Sequence, residues 1–193
     1  MILSGCIQNT VPAIDLYTIN IPCGIDKPIV KKAAAGTVLK VSIPKSTSSI
    51  MSRNILYQKD EYSQNPYAHS NWNDTPNIML GRVFLSCINK SSIFQSVLPS
   101  YSKGKSDFLL ESNLMEFYHH INTDGSSEGR VKVEFYLIDL KSGNVISTNE
   151  FFSKVSSKTL DAKGGVKALN YATKSIANSL VRWLKSLEKL SPI

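Results

Sequence analysis

The sequence predicts an α+β fold, a two-layer domain in which a mostly antiparallel sheet is covered on one face by two helices. Three observations lead there. Residues 108–155 hold three long β-rich runs joined by short turns, and strands joined by tight turns pair antiparallel. Two other segments, beginning at Pro76 and after Asp161, repeat apolar residues at helical spacing. Each has a single apolar stripe, which suits it to lie on one face of a sheet.

Asp15 to Ile21 reads as a first strand stopped at Pro22, and Thr37 to Ile43 as a second stopped at Pro44. The β-branched content of the second favours a buried central position. Asn54 to Lys59 is a shorter third strand. Asp60 to Asn73 is polar and expected to be loop, with Tyr62, Tyr67 and Trp72 interspersed.

Asp74-Thr75-Pro76 is a helix start, an oxygen-bearing cap followed by proline at the first helical position. Ile78, Met79, Val83, Leu85 and Ile88 then recur to about Lys90. Ser92 to Leu98 is another strand. The three long strands follow at Phe108–Ile121, Arg130–Leu140 and Val145–Val155, the last two joined by the hairpin turn Lys141-Ser142-Gly143-Asn144. In the middle one, Val131, Val133, Phe135 and Leu137 alternate with Lys132, Glu134 and Tyr136, the pattern of a half-buried strand.

Asp161 caps the final helix. Gly164-Gly165 weakens its first turn by roughly 1 kcal/mol per glycine, so ordered helix is expected nearer Val166. Val166, Leu169, Ile176, Leu180, Trp183, Leu184 and Leu187 form its apolar stripe, which the lysines avoid. With no repeat and no long linker, residues 15–190 form one domain behind a tether at 1–14.

That tether carries the first functional signal. Leu3-Ser4-Gly5-Cys6 has the form of a bacterial lipobox. A membrane-embedded peptidase needs small side chains beside its scissile bond, and a thioether to diacylglycerol needs a thiol. Cys6 is therefore the expected lipid attachment site, the alternative being an ordinary cysteine. The basic start and apolar core of a secretory signal are expected upstream of Met1. No run approaches the roughly 18 apolar residues of a membrane helix, so attachment would come through Cys6 or a partner.

Lys and Arg number 22 against 15 Asp and Glu. The excess is spread along the chain without a basic stripe or a nucleic-acid motif, so nucleic acid is not an expected partner. A mild positive charge suits work beside anionic headgroups and equally suits a merely soluble surface. Cys23 and Cys87 either pair in an oxidising periplasm, or Cys87 is a buried free thiol of the first helix.

Chemistry finds little support. Glu116, His119, His120 and Asp124 lie close in sequence, but adjacent strand residues point to opposite faces. The two histidines therefore cannot easily share a metal. There is no metal-binding spacing, no G-x-S-x-G and no phosphate loop. The chain is expected to be no enzyme and to carry no cofactor or metal. Tyr57, Tyr67 and Trp72 are the candidate partner-binding residues, since Tyr and Trp dominate interface hot spots. Against that, Trp72 would pack locally on the helix that begins at Pro76.

Three features belong together: the lipobox, Tyr67-Ala68-His69-Ser70-Asn71-Trp72 followed by Pro76 and the helix through Leu80 and Leu85, and the ending from Phe152 through Ala168-Leu169-Asn170 to Val181-Arg182-Trp183-Leu184. With them the chain resembles the ABC-type transport auxiliary lipoproteins, the family that includes the paraquat-inducible protein C lipoproteins. The resemblance implies a domain like the N-terminal domain of TolB. It also implies an accessory role in MCE systems that move phospholipid or other hydrophobic molecules between inner and outer membranes. An MCE-family protein is then the expected partner, with self-association also open. Ile7 after Cys6, by the familiar sorting pattern, favours the periplasmic side of the outer membrane. The competing reading is a pilotin-like assembly lipoprotein for an outer-membrane complex.

Overall fold

A computed structural model describes residues 12–23 and 36–187. Cys6 and most of the tether lie outside the described residues. The elements are β1 (Asp15–Tyr17), β2 (Val38–Val41), β3 (Asn54–Gln58), β4 (Gln64–Trp72), α1 (Pro76–Ser91), β5 (Ser96–Pro99), β6 (Phe108–Ile121), β7 (Ser127–Asp139), β8 (Val145–Ser156) and α2 (Ala162–Ser186).

The two-layer α+β architecture is present, with both helices on one face of a single eight-stranded sheet. The sheet is mixed. Antiparallel pairing holds where turns are short, at β3–β4, β6–β7 and β7–β8. The pairs β1–β4, β2–β5, β2–β6 and β3–β6 are parallel. The connections from β1 to β2 and from β2 to β3 are too long for hairpins, so these strands pair elsewhere.

β6 organises the layer. One of its edges carries β7 along its whole length. The other is shared end to end: β2 pairs with its start (Leu39 beside Phe108), Lys45 bridges Asn113, and β3 pairs with its end (Tyr57 beside His119). Met115 is an extra residue between Leu114 and Glu116, where the register shifts. Beyond this bulge, Phe117 and His119 face the same side as Phe108, Leu110 and Leu114.

The inner face of β7 is Val131, Val133, Phe135 and Leu137, all fully buried under α2. Phe135 is its centre, with Phe84 at 5.2 Å, Phe151 at 6.0 Å and Trp183 at 6.5 Å between ring centroids. The stripe of α2 supplies Leu169, Ile176, Leu180 and Leu184 to this core.

Several local expectations are corrected. Residues 60–73 are not all loop, for they contain β4, whose mainly exposed, polar residues and Pro66 give no strand periodicity. β1 is three residues long, and β5 starts at Ser96 rather than Ser92, because Ser92 is the left-handed C-cap of α1. The N-cap of α1 is Thr75, while Asp74 accepts from the Thr75 N–H and pairs with Arg82 at 3.0 Å.

α2 starts at Ala162, ahead of the glycines. The Asp161 carboxylate accepts from Gly164 N–H at 2.8 Å. The glycines serve close approach. A Cβ on Gly165 would sit 2.7 Å from the His119 ring, and one on Gly129 of β7 would meet Leu169 N of α2 at 2.6 Å. Helix and sheet touch there through bare backbone.

The N-terminal segment crosses the helix layer. Ile19 is buried, Asn20 N–H donates to Asn170 Oδ1 at 2.9 Å, and Asn170 Nδ2 donates to the Thr18 carbonyl at 3.3 Å. A disulfide between Cys23 and Cys87 then fixes the segment to α1. Closing a loop of 64 residues constrains the unfolded chain by about 4 kcal/mol on the chain-entropy account.

Gly165→Ala tests the close approach. In an exposed helix interior this change stabilises by about 1 kcal/mol. Here it should destabilise by about 1–3 kcal/mol through overpacking on His119, measured by urea unfolding. A gain in stability would refute the contact.

Candidate functional site

β3, β4 and the end of β6 bring Tyr57, Tyr67 and His119 together. Tyr57 is the parallel partner of His119, and the Tyr57 and Tyr67 rings lie 4.8 Å apart. Tyr67 Oη lies 2.7 Å from His119 Nδ1 and 3.1 Å from the Leu160 carbonyl. Its hydroxyl donates to that carbonyl, which has no proton to give. His119 Nδ1–H then donates to Tyr67 Oη, the tautomer this pattern assigns. The other nitrogen, Nε2, is buried without a hydrogen-bond partner.

Electrostatics agree with a neutral ring. Burial holds the His119 pKa below its ordinary value, with the nearby Asp161 charge opposing only in part. Burial, then the Asp161 charge, push the Tyr67 phenol up to about 12. Asp161 itself is held below the usual carboxylate range by the Thr159 hydroxyl and the Gly164 N–H. Neither Tyr67 nor His119 is set to exchange protons near neutrality; together with the Leu160 carbonyl they tie β4, β6 and the approach to α2 together.

The other chemically suggestive residues separate. His120 and Glu116 lie on the opposite, open face of the sheet, where Glu116 accepts from Tyr118. Asp124 caps the β6–β7 turn through Ser126. Among the described residues, no three His, Cys, Asp or Glu side chains are grouped to hold a metal.

Of the three candidate partner residues, Tyr57 and Tyr67 are half-buried and Trp72 is not a surface residue at all. Trp72 is 1% exposed, its ring 5.5 Å from Phe117. It belongs to the core, because the inner face of β4 turns it beneath the helix layer. Among the described residues the exposed aromatics are instead Tyr62, Tyr101, Phe152 and Tyr171. Tyr101 borders a recess of about 330 Å³ between α1 and β2–β5, which is also lined by Val41, Ile43, Ile78 and Leu85 with Arg82 beside them. Sequence periodicity singles out none of this recess, because its walls come from a strand end, a helix flank and a loop.

No protein-family model and no curated sequence matches the chain. Solved structures do. A Xanthomonas campestris protein of the DUF330 family superimposes with a TM-score of 0.78 at 16% identity, over 93% of this chain and all of that one. The likeness is one of fold. An uncharacterized protein is similar at TM-score 0.68 and 13% identity, over 90% of this chain and 99% of its own. PelC from Paraburkholderia phytofirmans, a dodecamer, is similar at TM-score 0.51 and 16% identity, over 79% and 89% of the two chains.

The neutral histidine has a pH consequence. A folded pKa below the unfolded value near 6.5 means that its stabilising contribution is complete above that value and is lost as pH falls towards the folded pKa. Thermal unfolding midpoints should therefore drop between pH 7 and pH 5, and His119→Gln should flatten the drop. An unchanged slope in the variant would show that His119 is not the group responsible.

Proposed function

We propose that this chain is a non-enzymatic accessory lipoprotein of the bacterial cell envelope, anchored through Cys6 and serving an MCE-type lipid-transport system. The observation that carries the reading is the Cys23–Cys87 disulfide. Disulfides persist in oxidising compartments such as the periplasm, which supports an exported domain. Of the three cysteines in the chain, the disulfide uses two, so Cys6 in its lipobox is the thiol left for acylation.

The fold supports a binding role. Its helix–sheet interior is filled by side chains, and its recesses are surface features. The apolar recess beside Tyr101 offers a wall for a partner's apolar side chain or an acyl chain. No helix among the described residues is long and apolar enough to cross a membrane, so the acyl anchor would hold the domain at the membrane. Transport energy would come from an ATPase elsewhere. The outer membrane is the proposed site, from Ile7 after Cys6. The dodecameric state of PelC, which shares the fold, supports self-association as part of the same role.

Labelled fatty acid should enter the wild-type precursor and not Cys6→Ser; equal labelling would refute the anchor. In cells, crosslinking should capture an MCE subunit. Capture of a secretin or other pore protein, and never an MCE component, would replace this reading with an assembly role.

A further inference from the structure

We infer that the outward face of α2 is a membrane-docking surface that lies on anionic phospholipid headgroups. The inference rests on the proposed anchoring at Cys6 for which membrane is reached, and on the structure for which face meets it.

The first observation is the charge of the helix. α2 contains Lys163, Lys167, Lys174, Arg182 and Lys185 and not one acidic residue. Its apolar stripe is spent on the core, so the cations collect on the face turned away from the sheet. Lys163, Lys167, Arg182 and Lys185 are exposed and Lys174 is half-buried. Among the described residues, no ion pair involves an α2 side chain. Asp161 stands just before the helix, where its charge interacts with Lys163, and its Oδ1 accepts from Thr159 and the Gly164 N–H. A basic amphipathic helix whose described cations form no ion pair is the pattern of a membrane-surface element.

The second observation is the shape and chemistry of that face. Tyr171, 65% exposed, stands among the lysines, and an amphipathic ring of this kind sits well at headgroup level. At the start of the helix a depression of about 570 Å³ is lined by Lys158, Lys163, Lys167 and Tyr171, with Asp161 also on its wall. Its three lysines can meet a phosphate-bearing headgroup, while the Ser157 and Thr159 hydroxyls are taken by the Thr159 carbonyl and Asp161.

The third observation is where the chain enters. β1 is parallel to β4, with Asp15 beside Ser70, so residues 14 to 12 run back towards the level of Tyr67. Tyr67 is bonded to the Leu160 carbonyl, immediately before α2. The next residues of the same segment, Thr18 and Asn20, are hydrogen-bonded to Asn170 on α2 itself. The chain therefore enters beside the first half of α2. From Cys6 to Pro12 it can span at most about 20 Å. An acyl group on Cys6 would hold this end of the domain close to the bilayer, where the exposed lysines meet anionic lipid.

The test uses the full chain with Cys6→Ser, so that no acyl chain contributes, in cosedimentation with phosphatidylglycerol-containing or pure phosphatidylcholine vesicles. Binding should require the anionic lipid and should be largely lost at 1 M salt, where the Debye length shrinks to about 3 Å. Lys163→Gln, Lys167→Gln and Lys174→Gln together should weaken it by on the order of tenfold or more. Lys90→Gln, Lys103→Gln and Lys105→Gln, a matched loss of charge outside this face, should leave it nearly unchanged. Circular dichroism and melting confirm that both triple variants fold. Equal binding to neutral vesicles, equal loss in the two triple variants, or full competition by millimolar glycerophosphate would each overturn the inference. The last would point to a soluble phosphate ligand. Because the protein tested lacks the acylated cysteine, these outcomes are independent of whether fatty acid labels Cys6.

Discussion

A single extra residue lets β6 present one apolar face over its full length. Side chains alternate along a strand, so without the bulge at Met115 the residues after it would exchange faces. Phe117 would turn away from α2, and His119 would leave Tyr67 and Gly165. With the bulge, Phe108, Leu110, Leu114 and Phe117 line one continuous floor. Met115 is left 49% exposed on the other side. The strand can then carry β2 on its first half and β3 on its second while keeping a full ladder with β7.

The helix layer depends on that floor. α2 comes so near the sheet that Gly129 and Gly165 face it without side chains. The aromatic group around Phe135 fills the wider space towards the other end. The buried histidine marks where the two layers are tightest. Burial favours its neutral form, and it is held through Nδ1 and packed against helix backbone. Strand alternation places His119 and His120 on opposite faces of the sheet.

The N-terminal segment connects this packing to the proposed role. It pairs with β4, crosses both helices through Met79 and Asn170, and is bonded covalently to α1 at Cys87. A domain held by a tether at this end experiences any pull at that segment. Such a load meets the pairing of β1 with β4 first, and the Asn170 hydrogen bonds and the disulfide, next along the chain, pass the remainder into the helix layer.

Local periodicity by itself determined both helices, the three long strands and the inward set Val131, Val133, Phe135 and Leu137, because each is a regular repeat within one segment. It also determined that His119 and His120 diverge, since strand alternation needs no partner. The tertiary structure decided the rest. β4 carries no alternating pattern because its exposed edge is shaped by polar residues, and its strand character comes from pairing with β3 and β1. The parallel pairings of β2 and β3 depend on which edge of β6 was vacant, a fact no local window contains. Trp72 reads either as a partner-binding residue or as packed on the helix from Pro76, and only the fold shows its ring against Phe117 of the sheet. Gly164-Gly165 reads as a weak helix start until His119 and Thr159 come up against it from segments distant or folded back in the chain. Whether Cys23 meets Cys87 is likewise a matter of the path across the helices, since only a folded layer brings their Cα atoms to 5.2 Å.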